Sequence, residues 1–261
     1  MNRTRTATAA VVLAGLGVTA AGGGRELLRR QAAIARRRIG KPLGEDAIDA
    51  DKLWKKTYGD PLRLVLLGDS IAAGLGAERR KDTLGARLAR GLAKELHRSV
   101  DLRTAAVVGS ESSALAGQLD GLPASYRPDV AVIVVGGNDV THRVPVSESV
   151  AHLEAAIARL RLLGTAVVVG TCPDLGALRD VPQPLRSLGS RMSRQLAVAQ
   201  QAAAIRSGAH AVVLARVVGP FFITNPDEMF SLDRFHPSAL GYKHTARALL
   251  PTVVRVLAEK S

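Results

Sequence analysis

The stretch Leu62-Arg63-Leu64-Val65-Leu66-Leu67-Gly68-Asp69-Ser70-Ile71-Ala72-Ala73-Gly74 reads as a strand, a sharp turn and the start of a helix. Residues 62–67 form a short, nearly continuous apolar run, the pattern of a strand buried on both faces of a parallel sheet. Four more such runs follow at residues 102–108, 130–135, 166–169 and 211–217. Between them lie amphipathic helical patterns at 83–97, 112–119, 147–163 and 185–207, and a last one at 238–259 closes the chain. Strand and helix alternating in this way predict an α/β fold, an open parallel sheet with helices on both faces. Ligands of such sheets bind beyond the carboxyl ends of the strands, so the residues after each strand carry the functional information.

After the first strand stands Gly68-Asp69-Ser70, and after the third Gly136-Gly137-Asn138-Asp139. Before the last helix comes Asp233-Arg234-Phe235-His236-Pro237-Ser238. A serine, an asparagine and an Asp-x-x-His pair are the parts of an acyl-transfer site. The serine attacks, the histidine takes its proton, the aspartate orients the histidine, and amide donors receive the oxyanion. Each group alone has an ordinary structural explanation. Ser70 suits a helix N-cap, Gly-Gly-Asn-Asp suits a turn, and His236 suits packing near the last helix. Taken together and in order, they favour catalysis.

These residues resemble the GDSL, or SGNH, hydrolase family, in an exported or membrane-anchored, actinobacterial-type form. The match is to its Gly-Asp-Ser block, its Gly-x-Asn-Asp block and its Asp-x-x-His-Pro block, and it covers residues 62–258. The resemblance implies a three-layer α/β/α sandwich of SGNH-hydrolase (flavodoxin-like) architecture with a five-stranded parallel sheet. It also implies an esterase or lipase that uses no cofactor and no metal. Carried over, Ser70 is the nucleophile, His236 the base and Asp233 its orienting partner. The Asn138 side chain and the Ser70 backbone N–H are the oxyanion donors. The family's second block adds a glycine N–H after the second strand; Gly109 in Val107-Val108-Gly109-Ser110 is the match, without the asparagine usual two residues earlier.

Asp139-Val140-Thr141-His142 repeats the Asp-x-x-His spacing directly after Asn138. The family order selects Asp233 and His236, which leaves His142 as a surface histidine. All four phenylalanines, Phe221, Phe222, Phe230 and Phe235, fall in one segment that leads into the Asp233–His236 loop. Two readings of it stand: a substrate-binding wall, with Phe230 and Phe235 beside an acyl chain, or plain core packing. Cys172 reads as a buried thiol, and Pro173-Asp174 after the fourth strand reach toward the same crevice. His97, His152 and His210 have no acidic or cysteine neighbours at ligand spacing, so no metal site is expected.

Composition bounds the remaining choices. The 261 residues are 47% hydrophobic with one cysteine, which excludes a disulfide framework and a cysteine-rich zinc site. Aromatics make up 3%, too few for a base-stacking platform. Of the net charge of +13, residues 1–41 carry +8. The excess therefore sits in a tail, which points away from nucleic acid and toward an anionic membrane or envelope polymer. Within that tail, Arg3 and Arg5 precede an uncharged run from Thr6 to Gly24, and a cluster of arginines follows from Arg25 to Arg38. The order is that of a signal peptide or membrane anchor, with the orientation left open by the positive charge on its far side.

The expected organisation is a signal or anchor at 1–24, a basic helical segment and linker at 25–60, and the hydrolase domain at 61–261. The expected activity is hydrolysis of short or medium acyl esters through an acyl-enzyme, with a small-molecule or lipid ester as substrate and the cell envelope as location. A carbohydrate O-deacetylase or thioesterase using the same residues, and a non-catalytic envelope-binding protein, are the other readings.

Overall fold

The computed structural model describes residues 23–40, 42–44 and 46–259. Nearly all of the expected signal or anchor segment therefore lies outside the described residues. Among the described residues, no helix is long and apolar enough to cross a membrane.

The core is a six-stranded sheet in the order β1-β3-β2-β4-β5-β6. Its strands are β1 (Lys52–Trp54), β2 (Gly59–Gly68), β3 (Arg98–Thr104), β4 (Val130–Val134), β5 (Ala166–Gly170) and β6 (His210–Val212). All neighbours pair in parallel except β1, which runs antiparallel to β3. The sheet therefore departs from the expected five strands by one. The sixth comes from residues read as linker, where Trp54 is buried and its Nε1 donates to the Ala50 carbonyl at 3.1 Å. The five parallel strands are those expected, with shifted boundaries: β2 begins at Gly59, three residues before the expected start, and β3 ends at Thr104, four residues before the expected end at 108. β3 begins at Arg98, not at Leu102, because near the sheet edge its buried residues, Val100 and Leu102, alternate with the polar Asp101 and Arg103. A search for continuous apolar runs passes over such a half-buried strand. β6 ends at Val212, after pairing with β5 over three residues. The rest of its apolar run folds into a helical turn, Leu214–Val217, which a short β-branched run cannot announce.

Two helical layers enclose the sheet, as the alternation of β2 requires. Leu62, Leu64 and Leu66 face helices α3 (Leu84–Leu96) and α11 (Ala239–Ala258), while Val65 and Leu67 face α4 (Leu115–Asp120), α6 (Val146–Leu162) and α7 (Leu185–Arg206). β4, which with β2 forms the centre of the sheet, is buried over its whole length. Residues 23–39 form a further helix, α1. α1 is tied to the start of α7: the buried Gln31 side chain donates to the Gln183 carbonyl and accepts from the Leu185 N–H at 2.9 Å.

At the carboxyl ends of the strands, two buried glutamines complete the hydrogen bonding. Gln118, on α4, accepts from the Gly68 N–H and donates to the Gly68 carbonyl, both at 2.8 Å. Gln200, on α7, accepts from the Cys172 N–H at 2.7 Å and donates to the Val135 carbonyl at 2.9 Å. Each amide acts as a surrogate peptide where no strand remains to pair. Gln118→Ala would strand the buried Gly68 N–H at the end of β2, while the Gly68 carbonyl keeps the Val107 N–H at 3.2 Å, so a loss of about 2 kcal/mol is expected in urea unfolding. A loss within experimental error of zero would show that the β2 edge does not rely on this side chain.

Candidate active site

β2 lies between β3 and β4, so chain leaving its carboxyl end enters the crevice where the strand order reverses. Gly68 makes the exit possible. Its φ is +129°, and a Cβ there would lie 1.8 Å from the Val134 carbonyl oxygen. With no side chain in the way, the Asp69 N–H donates to that same oxygen at 3.0 Å. The chain then turns into a short helix, α2 (Ser70–Ala73), with Asp69 as its N-cap accepting from the Ile71 N–H at 3.0 Å. The cap expected of Ser70 thus falls to Asp69. Ser70 is the first helical residue, so its own N–H has no intrahelical acceptor.

The opposite wall is the loop before α11. Asp233 accepts through one oxygen from the Ser231 hydroxyl, the Phe235 N–H and the His236 N–H, each at 2.9 Å. Its other oxygen meets His236 Nδ1 at 2.5 Å, and His236 Nε2 stands 2.9 Å from Ser70 Oγ. The spacing of three residues is what lets one carboxylate organise the turn and hold the ring together. Ser238 then caps α11, accepting from the Leu240 and Gly241 N–H groups. The loop behind Ser70 is pressed against this turn. Gly76 has φ +102°, and a Cβ there would come 2.5 Å from the Pro237 carbonyl oxygen. The buried Tyr242 hydroxyl donates to the Leu75 carbonyl at 2.6 Å, fastening α11 to the same loop.

Asn138 enters from α5 (Gly137–His142), after β4. Its Nδ2 donates to the Ser110 carbonyl at 2.9 Å, which fixes the amide plane and leaves its second N–H for a ligand. Asp139 next to it is buried, accepting from the Ser112 N–H at 3.1 Å and the Ser149 hydroxyl at 2.5 Å. His142 points the other way, exposed, with Nδ1 2.7 Å from Glu111. The second Asp-x-x-His pair is therefore divided between core and surface and never forms a unit.

Ser70, Asn138, His236, Phe230 and Phe235 line a single cavity of about 80 Å3, closed on its apolar side by Leu178, Leu214, Val218 and Phe222. Phe235 sets its ring edge-on to His236 at 4.9 Å, and Phe222 does the same to Phe230 at 4.9 Å. The phenylalanine segment thus serves both readings. Met229 is core, Phe221 lies half exposed against His244, and the other three border the cavity. Pro173 and Asp174 also line it, while Cys172 is a buried free thiol beneath. Gly109, left-handed at φ +82° and exposed, is not among the lining residues. Its neighbour Ser110 is the residue that holds Asn138. Gln118 and Gln200, which set the rim, escaped the sequence reading. Their signal was a polar residue within an apolar helical stripe, between Leu115 and Leu119 in one case and beside Leu196 and Ala197 in the other.

Two carboxyls of this site are driven in opposite directions. Burial pushes Asp69 up, the Ile71 and Gly137 N–H groups and His236 pull it back, Asp139 adds repulsion, and the result is about 6. Burial also raises Asp233, but the hydrogen bonds from the His236 ring and from the His236 and Phe235 N–H groups outweigh it and bring the carboxyl down to about 2.

The matched residues place the chain. The GDSL-like Lipase/Acylhydrolase family matches residues 66–244, and the chain belongs to that family. Among individual proteins, it is similar to a GDSL-like esterase of Mycobacterium tuberculosis, 39% identical over 208 residues that span 79% of this chain and 66% of that relative. The fold is shared with two solved structures. One is the lipase Lip_vut3 from goat rumen metagenome, at TM-score 0.59 and 19% identity over 72% of this chain and 95% of that one. The other is the esterase EstA of Pseudoalteromonas, at TM-score 0.58 and 18% identity over 76% of this chain and 98% of that one.

The raised Asp69 has a measurable sign. A carboxyl with a higher value folded than unfolded favours the native state only while it is protonated. Stability should therefore fall as pH rises from about 4 to about 6, by about 3 kcal/mol, and level off above. In Asp69→Asn this fall should vanish from the urea-unfolding profile, leaving a constant offset from the one N–H that the amide cannot accept. Profiles that run parallel through that range would contradict the assignment.

Proposed function

We propose that the chain is a serine ester hydrolase that transfers the acyl group of a carboxylic ester to Ser70 and then to water. The observation that carries this reading is the unbroken line from Asp233 through both ring nitrogens of His236 to Ser70 Oγ, at 2.5 and 2.9 Å. In the first half-reaction His236 Nε2 accepts the hydroxyl proton as Oγ adds to the ester carbonyl carbon. Asp233, held low by its hydrogen bonds, is ionised and faces Nδ1–H, so the imidazolium forms beside a fixed negative charge. The carbonyl oxygen becomes an oxyanion next to the Ser70 N–H and the free N–H of Asn138. A third donor from the Gly109 N–H rests only on its place in the loop that orients Asn138. Collapse of the intermediate expels the alcohol, which takes the proton from Nε2. Water then repeats the sequence on the acyl-enzyme, with His236 again as base.

The cavity supports a short acyl chain. Its volume of about 80 Å3 and its wall of Leu, Val and Phe side chains favour burying a few methylenes, at about 0.8 kcal/mol for each. Butyrate-sized p-nitrophenyl esters should accordingly be cleaved with higher kcat/KM than palmitate-sized ones.

The roles separate in mutants. Ser70→Ala and His236→Ala should each lower kcat by about 10⁴–10⁶, since such residues act as a unit. Asn138→Ala should lower kcat by about 10²–10³ with KM little changed, because the oxyanion exists only in the transition state. His142→Ala should cost less than about tenfold, as its ring lies outside the site. A His142 variant more damaged than the His236 variant would overturn the assignment.

For location, we propose an exported or envelope-anchored protein. The support is the uncharged run from Thr6 to Gly24 between arginine clusters. Removing residues 1–22 should release active protein from the membrane fraction. Removing 1–41 should also cost about 2 kcal/mol, because it takes Gln31 from its two backbone partners. Full-length protein found wholly in the soluble fraction would refute the anchor.

A further inference from the structure

Beside the acyl cavity lies a second concavity of opposite character. Its walls are Arg179, Arg186, Arg194, Gln183, Ser187 and Ser190. The two meet at Ala177, which lines both. Helix α9 (Gly219–Thr224) borders both as well, giving Phe222 to the apolar side and Ile223 to the basic one. We propose that this concavity is a subsite for a phosphate group carried by the ester substrate.

The charges there are positioned but not neutralised. Arg179 donates through Nη2 to the Ile223 carbonyl at 2.8 Å, and Arg186 through Nη1 to the Arg179 carbonyl at 3.5 Å. Neither guanidinium has a carboxylate within ion-pair distance among the described residues. Arg194 does lean on Asp174, at 3.6 Å. That pair leaves Arg179 and Arg186 as the charges without a counter-ion among the described residues, while the other Asp174 oxygen accepts from the Ser190 hydroxyl at 2.6 Å and the Gly176 N–H at 2.8 Å. Gln183 Oε1 accepts from the Ser187 hydroxyl at 2.7 Å and from the Ser187 N–H at 3.2 Å. Guanidiniums offer five N–H donors in a planar fork. Here two of them spend one donor each on backbone carbonyls, which steadies them without discharging them. Two like charges kept together in a concavity repel each other until an oxyanion enters, and a phosphate matches the fork in geometry and charge. One substrate molecule with a short acyl chain and a phosphate would engage both halves of the seam across Ala177.

This inference rests on the ester-hydrolase reading, and the experiment tells the two apart. The rate of butyrate release is measured on monobutyrylglycerol and on monobutyrylglycerol phosphate, which differ only in the anion. The phosphate ester should show a KM lower by about tenfold. In the double variant Arg179→Gln/Arg186→Gln that preference should disappear, whereas Arg191→Gln, an exposed change on the same helix, should keep it. Inorganic phosphate should compete against the phosphate ester more strongly than against the neutral one. Long-chain phosphatidate in mixed micelles, run in parallel, tells a lipid headgroup from a soluble phosphate ester; arginine-dependent hydrolysis of either supports the subsite. Hydrolysis of both glycerol esters with equal KM, or a preference that survives the double variant, overturns the subsite and leaves the hydrolase intact. Failure on both glycerol esters by protein that still cleaves p-nitrophenyl butyrate overturns the subsite, and failure on all three overturns the hydrolase itself. Arginine-dependent sedimentation with phosphatidylglycerol vesicles, without any phosphate-ester preference, also overturns the subsite and reassigns these arginines to a membrane-facing surface.

Discussion

The approach of Gly68 to Val134 is the contact on which the site depends. Parallel strands β2 and β4 stay in register to their last residues, and only a residue without a side chain can hold φ +129° against the Val134 carbonyl. That contact sets Asp69 beside Gly137, whose N–H the Asp69 carboxylate accepts. Ser70 and Asn138, each one residue further on, are thereby placed side by side from two different strands. The geometry is made by backbone, so it is settled before any side chain chooses a rotamer. Gly76 against Pro237 repeats the principle on the other wall, bringing the His236 turn onto the loop behind Ser70.

The two carboxyls divide their work by environment. Asp233 collects four hydrogen bonds that hold its carboxyl low, a fixed negative charge beside the His236 ring. Asp69 is buried with fewer donors and titrates near 6. Its contribution is to bridge two loops through backbone N–H groups. Neighbouring acids pushed apart in this way are a mark of acid–base sites. The contrast continues outside the immediate centre, where an apolar cavity and an arginine-lined one share the short helical turn Leu175–Ala177.

Much of this was legible in the sequence because the informative residues sit at strand ends. Residues 62–67, 130–135 and 166–169 read as buried strands since both faces are covered, and the serine, asparagine and Asp-x-x-His pair follow from where those strands stop. β1 and the start of β3 were obscured for the converse reason: near an edge, one face is polar and the apolar run breaks. Gln118 and Gln200 were hidden because burial of an amide is a tertiary fact, created by strand ends that lack partners. The repeated Asp-x-x-His spacing could be resolved by order alone, yet the physical cause appears only in space. Asp139 is held in the core by Ser112 and Ser149 while His142 lies exposed, whereas Asp233 gathers its other donors on one oxygen and turns the second to the histidine. The basic concavity was invisible because Arg179 comes from a turn and Arg186 and Arg194 from positions eight residues apart on α7, with no motif among them.

The central claim is that His236 activates Ser70 through the 2.9 Å contact. Its most direct test is covalent: the full chain is treated with a fluorophosphonate, and the adduct is mapped by peptide mass spectrometry in wild type and in His236→Ala. A single adduct on Ser70, formed rapidly in wild type and suppressed in the variant, is the expected result. An adduct on another residue, or labelling of Ser70 at the same rate without His236, would contradict the account.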